Sequence, residues 1–337
     1  MLRAVIYIFR CGVLLIRTYH SRSWQRQQSV YDRPQCGPLT TIPTEDATMT
    51  TNSNTEPGIV RRILSSPPAR VLVLGFILLM MMGLNSDVMT SYAGEPAKSV
   101  LHIMALAIAG ISVYLGYAYF IEQRDVSELA VPGMGRELGI GLLIGAGLYA
   151  LSELILMALG IYRIDGLNPL SYMVPAIAMA LSSGIYEELL FRGVLFRSVE
   201  TWLGSWAALV VSSLVFGLTH LMNPHATIEG ALFIAVEAGI LLAAAFMLTH
   251  RLWLSMGFHV AWNYTQSAIF SGIVSGNEAS QGLVRSTING PDFLTGGSFG
   301  VESSVLALLL CTTTGIVMLV MAVKRGNIVQ PIWKRPA

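Results

Sequence analysis

The sequence predicts an all-α polytopic membrane protein of about eight transmembrane helices with a polar cluster inside the helical bundle, and three observations carry that prediction. Of 337 residues, 53% are hydrophobic and only 12% are charged, more apolar surface than a water-soluble core of this length uses. Eight runs approach the roughly 20 apolar residues that crossing a bilayer demands: 69–89, 99–121, 138–161, 172–196, 202–222, 226–248, 252–274 and 304–323. The basic residues then sort by side. From residue 61 onward, Arg61, Arg62, Arg70, Arg124, Arg136, Arg197, Arg251, Lys324, Arg325, Lys334 and Arg335 fall on one side of an eight-span chain, and only Lys98, Arg163 and Arg285 on the other. By the positive-inside rule, eleven against three puts both termini in the cytoplasm.

The elements follow in order. Residues 1–60 differ in kind from the rest: a short apolar run is broken by Arg10, and the polar stretch through "TEDATMTTNSNTEPG" has no periodicity. A basic start and apolar middle suit a signal peptide, but no small-residue cleavage site follows. The segment reads as a disordered extension produced by an upstream start codon, with Met49 as the working initiator. The membrane domain occupies 61–335. Its longest connection, 275–303, is rich in Gly, Ser and Asn and reads as a loop. A net charge of +1 and the lack of a basic patch interleaved with aromatics argue against nucleic acid as a partner. Cys11, Cys36 and Cys311 are scattered, which suits neither a disulfide framework nor a thiolate zinc site.

Three spans carry polar residues at helical spacing. In "GIYEELLFRG" two glutamates and an arginine stand in a run otherwise fit for lipid, where each charge costs roughly 2.5–3.5 kcal/mol at the bilayer centre. Glu188 and Arg192 are four apart with the acid first, the favoured order for a same-face ion pair. Glu187 lies about 100° around the helix and is left to face the bundle interior. In "FGLTH" Phe216 and His220 share a face, and in "GFHVAWN" His259 and Asn263 do. An imidazole accepts a proton near neutral pH and an amide donates to a developing oxyanion. One free carboxylate, two imidazoles and an amide at membrane depth therefore make a hydrolytic set. Blander roles stand beside this one: membrane histidines bond neighbouring helices, the Glu188–Arg192 pair is structural, and Phe216 is packing. Glu229 reads as interfacial, Glu153 and Glu237 as buried and neutral or paired. His225 follows His220 too closely to be dismissed.

In this order and in successive helices, "EELLFR", "FGLTH" and "HVAWN" resemble the three motifs of the CPBP intramembrane proteases, the group that includes the type II CAAX prenyl endopeptidases and the Abi proteins. The resemblance is specific over about 139–274. It implies an intramembrane endopeptidase, a hydrolase of the CAAX prenyl protease 2 kind, with a membrane-associated peptide or protein as substrate, in a bacterial inner membrane. Glu187 matches the general base that activates water with His220, His259 and Asn263 match the oxyanion site, and Glu188 and Arg192 match supporting positions. The family's metalloprotease label raises zinc. No His-Glu-x-x-His is present, and two mechanisms stay open: a metal-free one resting on the carboxylate base, and a divalent ion held by Glu187, His220 and His259. The rival class is a non-catalytic peptide-binding or immunity protein, or a proton-coupled transporter. A transporter would show a repeat between its halves, and none is visible.

Overall fold

The computed structural model describes residues 58–335, so the expectations for the N-terminal extension lie outside the described residues. Eight helical passages account for the bundle. They are α1 (Pro67–Ser91), α2 (Pro96–Glu122), α3 (Met134–Ala158), α4 (170–203), α5 (205–222), α6 (Ile228–Thr249), α7 (253–269) and α8 (Val305–Lys324). Six helical segments among the described residues are long and apolar enough to cross a membrane. One of these, Leu170–Met222, is 53 residues long and contains both α4 and α5. Gly204, at φ 79° and ψ 172°, breaks it, a left-handed turn that other residues rarely adopt. Beyond this break Ser212 Oγ donates to the carbonyl of Phe191 at 3.2 Å and the Phe191 and Phe216 rings meet edge to face. The chain has therefore turned back on itself, and one segment makes two passages. The expected seventh span is shorter than 252–274, because its helix stops at Ile269.

Helix starts follow local chemistry. Pro67 and Pro96 open α1 and α2 in the first turn, where a missing N–H is not needed. Thr227 and Ser304 cap α6 and α8, their hydroxyls accepting from the backbone N–H of Gly230 and Ala307. The depth of α7 is set by glycines. A Cβ on Gly141 would lie 2.3 Å from the Leu254 carbonyl oxygen, and one on Gly145 2.3 Å from that of Phe258. This small-xxx-small face lets α3 and α7 touch along their backbones. The central helix is α6, with 72% of its apolar window buried against 22% for α1.

The arginines gather at one end of the bundle and pair there. Arg70 pairs with Glu122, Arg124 and Arg197 both reach Glu128 Oε1 at 2.7 Å, and Arg335 donates to the Glu200 and Thr201 carbonyls. The opposite end differs from expectation. Residues 275–303 are not a bare loop: β2 (Val284–Ile288) pairs antiparallel with β1 (Tyr162–Leu167), and a short helix, Asp292–Thr295, follows. This folded segment is stitched to the turn after α5. Asn223 Nδ2 donates to the Ser275 carbonyl, His225 N–H donates to that of Gly276, and the His225 ring lies 3.3 Å from Glu278.

Candidate active site

The site forms where α4, α5 and α7 cross at mid-bundle, and Gly184 permits the crossing. A Cβ there would stand 2.4 Å from Val260 Cγ2 and 2.9 Å from its backbone nitrogen. With only hydrogen at that point, Glu187 and Glu188, one turn further along α4, come up against His259 on α7.

Glu188 and Arg192 are both fully buried and pair at 2.9 Å, as their spacing predicts. Each is also bound across helices. Glu188 Oε1 accepts a bond from His259 Nδ1 at 3.0 Å, and Arg192 Nη2 donates to the Gly239 carbonyl of α6 at 3.1 Å. The Arg192 guanidinium lies 4.6 Å over the Phe216 ring, a cation–π contact. Phe216 thus serves as more than filler, since its ring also lies 4.9 Å from that of His220 and 6.0 Å from that of His259.

Glu187 remains free of the ion pair, with a side chain 14% exposed and Oε2 without a hydrogen bond. This oxygen lies 3.8 Å from His259 Nε2, beyond hydrogen-bond range but within reach of its charge. His259 therefore stands between the two carboxylates. Because a carboxylate only accepts, His259 Nδ1 carries the proton it gives Glu188, and Nε2 can donate as well only in the imidazolium form. His220 Nδ1 is likewise fixed, donating to the Phe216 carbonyl at 2.8 Å. In the neutral ring this leaves His220 Nε2 as a lone pair. Asn263 gives one amide N–H to Ser183 Oγ at 2.8 Å and keeps a second.

His220, His259 and Asn263 line one cavity of about 20 Å3, room for a single water. Phe216, Phe258 and Trp262, members of one apolar cluster, line it as well. Glu187 does not line it. Two acids given no site role by the spacing of the motifs do: Glu237 of α6 and Glu302 of the folded segment before α8. Glu237 carried a signal in its sequence, an acid in an apolar run with no base three or four residues away. Glu302 carried none, because a non-local fold brings it in. Glu153, by contrast, lies outside the site and accepts a bond from Tyr149 at 2.9 Å. Among the described residues no three His, Cys, Asp or Glu side chains converge as metal ligands. The trio of Glu187, His220 and His259 does not fit a metal as placed.

Residues 169–265 match the family model described as Rce1-like, type II CAAX prenyl endopeptidase Rce1-like. The match takes in every motif residue from Glu187 to Asn263 and ends before Glu302. No curated protein and no solved structure matches.

Proposed function

We propose, on the footing that this chain belongs through its Rce1-like domain to the CPBP/CAAX protease family, that it is an endopeptidase cleaving a membrane-associated peptide with water held beside His220. The observation that carries this reading is the hydrogen bond from His220 Nδ1 to the Phe216 carbonyl. It leaves Nε2 as an acceptor in the cavity that His259 and Asn263 share, so a proton acceptor and two donors face one small volume. In the reaction His220 Nε2 takes a proton from water, the hydroxide forms its bond to the scissile carbonyl carbon, and the carbonyl π pair moves onto oxygen. Glu187 completes the base by stabilising the charge that builds on the imidazoles near it. His259, as imidazolium, and the second N–H of Asn263 donate to the oxyanion. Glu188 and Arg192 hold His259 in place. The same reading takes the arginine-rich end as cytoplasmic.

The test is substrate trapping. Membrane peptides recovered with wild-type protein and with Glu187→Gln are compared, and a peptide retained by the variant is then offered to the wild type. Cleavage by wild type and not by the variant supports the reading. Retention by both without cleavage would make the protein a peptide-binding one.

A further inference from the structure

Two carboxyl groups stand in the cavity wall with no part in the scheme above. Glu237 is 1% exposed, and its Oε2 is buried without any hydrogen-bond partner. It lies in a π-helical turn, Ala235–Gly239. The Arg192 bond to the Gly239 carbonyl pins this turn to α4. Glu302 is 3% exposed, and its carboxyl accepts from the Ser275 N–H and, at 3.3 Å, from the Trp262 indole. The other titratable groups lining the cavity are His220, His259 and Cys311; no lysine or arginine lines it. Behind that wall, Arg192 is committed to Glu188.

Two carboxyl groups facing one water-sized space, with no lysine or arginine in its wall and with His259 already held between Glu188 and Glu187, do not both ionise, because like charges in a poorly solvated site repel strongly. A lone carboxylate away from water is costlier still and takes up a proton instead. Burial pushes Glu302 up to about 7, against the pull of its bonds from Ser275 and Trp262, so this acid sits where a proton is readily given and regained at neutral pH.

We propose that Glu237 and Glu302 hold one proton between them and that Glu237 delivers it to the leaving amine. This deepens, and rests on, the peptidase reading above, in which no group yet protonates the departing nitrogen. When the tetrahedral intermediate collapses, the oxyanion pair re-forms the carbonyl, the C–N bond breaks and its electron pair goes to nitrogen. Nitrogen takes the proton from the Glu237 carboxyl, leaving a carboxylate. The proton that His220 took from water then returns to the Glu237–Glu302 pair, so the cycle closes with one water consumed.

The test uses full-length protein in detergent and two matched peptides, one with the scissile amide and one with an ester at the same position. An alcohol leaves without the full protonation an amine needs, so a lost general acid penalises the amide selectively. Glu237→Gln should lower amide turnover by about 10²–10⁴-fold and ester turnover by less than about tenfold. In Glu302→Gln the alkaline limb of the amide profile should move by about one pH unit or more, as expected when one member of a coupled pair is removed. Amide turnover within about threefold of wild type in Glu237→Gln, or equal losses on both substrates, overturns the proposal. A second readout needs no turnover. Infrared spectra of the resting protein should show the carbonyl stretch of a neutral carboxylic acid that loses intensity only when Glu237→Gln and Glu302→Gln are combined, because either acid left alone keeps the proton, and an unchanged band in the double variant also overturns the proposal. Should wild type cleave neither peptide while that band behaves as expected, the peptidase reading fails and with it the delivery step, but the shared proton stands.

Discussion

Replacing Gly184 with alanine should disable the site without touching a polar residue. The added Cβ would stand 2.9 Å from the Val260 backbone nitrogen, where ordinary contact begins at 3.4 Å, so α4 and α7 must part by about 0.5 Å. The side-chain contact with Val260 Cγ2 is tighter, at 2.4 Å, and a valine in a helix has essentially one rotamer to offer. Val260 is the neighbour of His259, so the displacement passes directly into the 3.0 Å bond to Glu188 and the 3.8 Å gap to Glu187. A misplacement of 1 Å can cost about 10²-fold in rate, which makes about tenfold a fair expectation for half that distance. Overpacking a crossing of this kind costs roughly 1–3 kcal/mol, so the variant should also melt earlier. Steady-state cleavage of an internally quenched peptide and thermal unfolding in detergent read the two effects separately. Gly147→Ala is the control, because a Cβ there meets nothing within 4 Å. Wild-type turnover and stability in Gly184→Ala would refute the claim that this contact sets the position of His259.

Other expectations follow from the same geometry. Arg192→Ala leaves a fully buried Glu188 without its cation and should cost roughly 3–5 kcal/mol, seen as lower yield and melting temperature; a stable but inactive variant would assign Arg192 a direct role. Asn263→Ala should lower turnover by about 10²–10³-fold with peptide affinity little changed, and equal losses in both would mark Asn263 as a recognition residue. At the arginine-rich end, burial works to raise the Glu128 pKa, but Arg197 and Arg124 outweigh it and hold the carboxyl below its ordinary 4.5. Its contribution to stability is therefore complete above that value and is lost as pH falls through the lower folded one. Melting temperatures measured between neutral and acid pH should show a drop below about pH 4.5 that Glu128→Gln lacks.

The helices and the polar pair of α4 were legible because their signals are local: apolar runs of membrane length, and an acid and a base four residues apart. The reversal at Gly204 fitted a run boundary already visible near Trp202. What the chain did not disclose depends on contacts between distant segments. The Glu188–His259 bond joins residues 71 apart, and no periodicity reports it. The strands "YRIDGL" and "VRSTI" are only six and five residues long and sit among turn-forming residues, so neither reads as a strand until the other lies beside it. Glu302 escaped notice for the same reason, since the fold of 275–303 alone brings it to the cavity. Two roles also became more definite in three dimensions. Phe216 is a platform for a guanidinium and two imidazoles, and His259 is oriented by a carboxylate before it faces anything else.

The β1–β2 ribbon has a consequence for how the protein is made. Asp165 and Thr287, which bond across it, are 122 residues apart, so at about 5–20 residues per second a ribosome needs roughly 6–25 s to deliver the second strand after the first. During that interval α4 to α7 are synthesised with every motif residue, while the segment carrying Ser275 and Glu302 has still to close over them. A nascent chain arrested before Val284 would hold its histidines and Glu187 without that cover, so the order of synthesis keeps the cavity unfinished until the last third of the membrane domain has emerged.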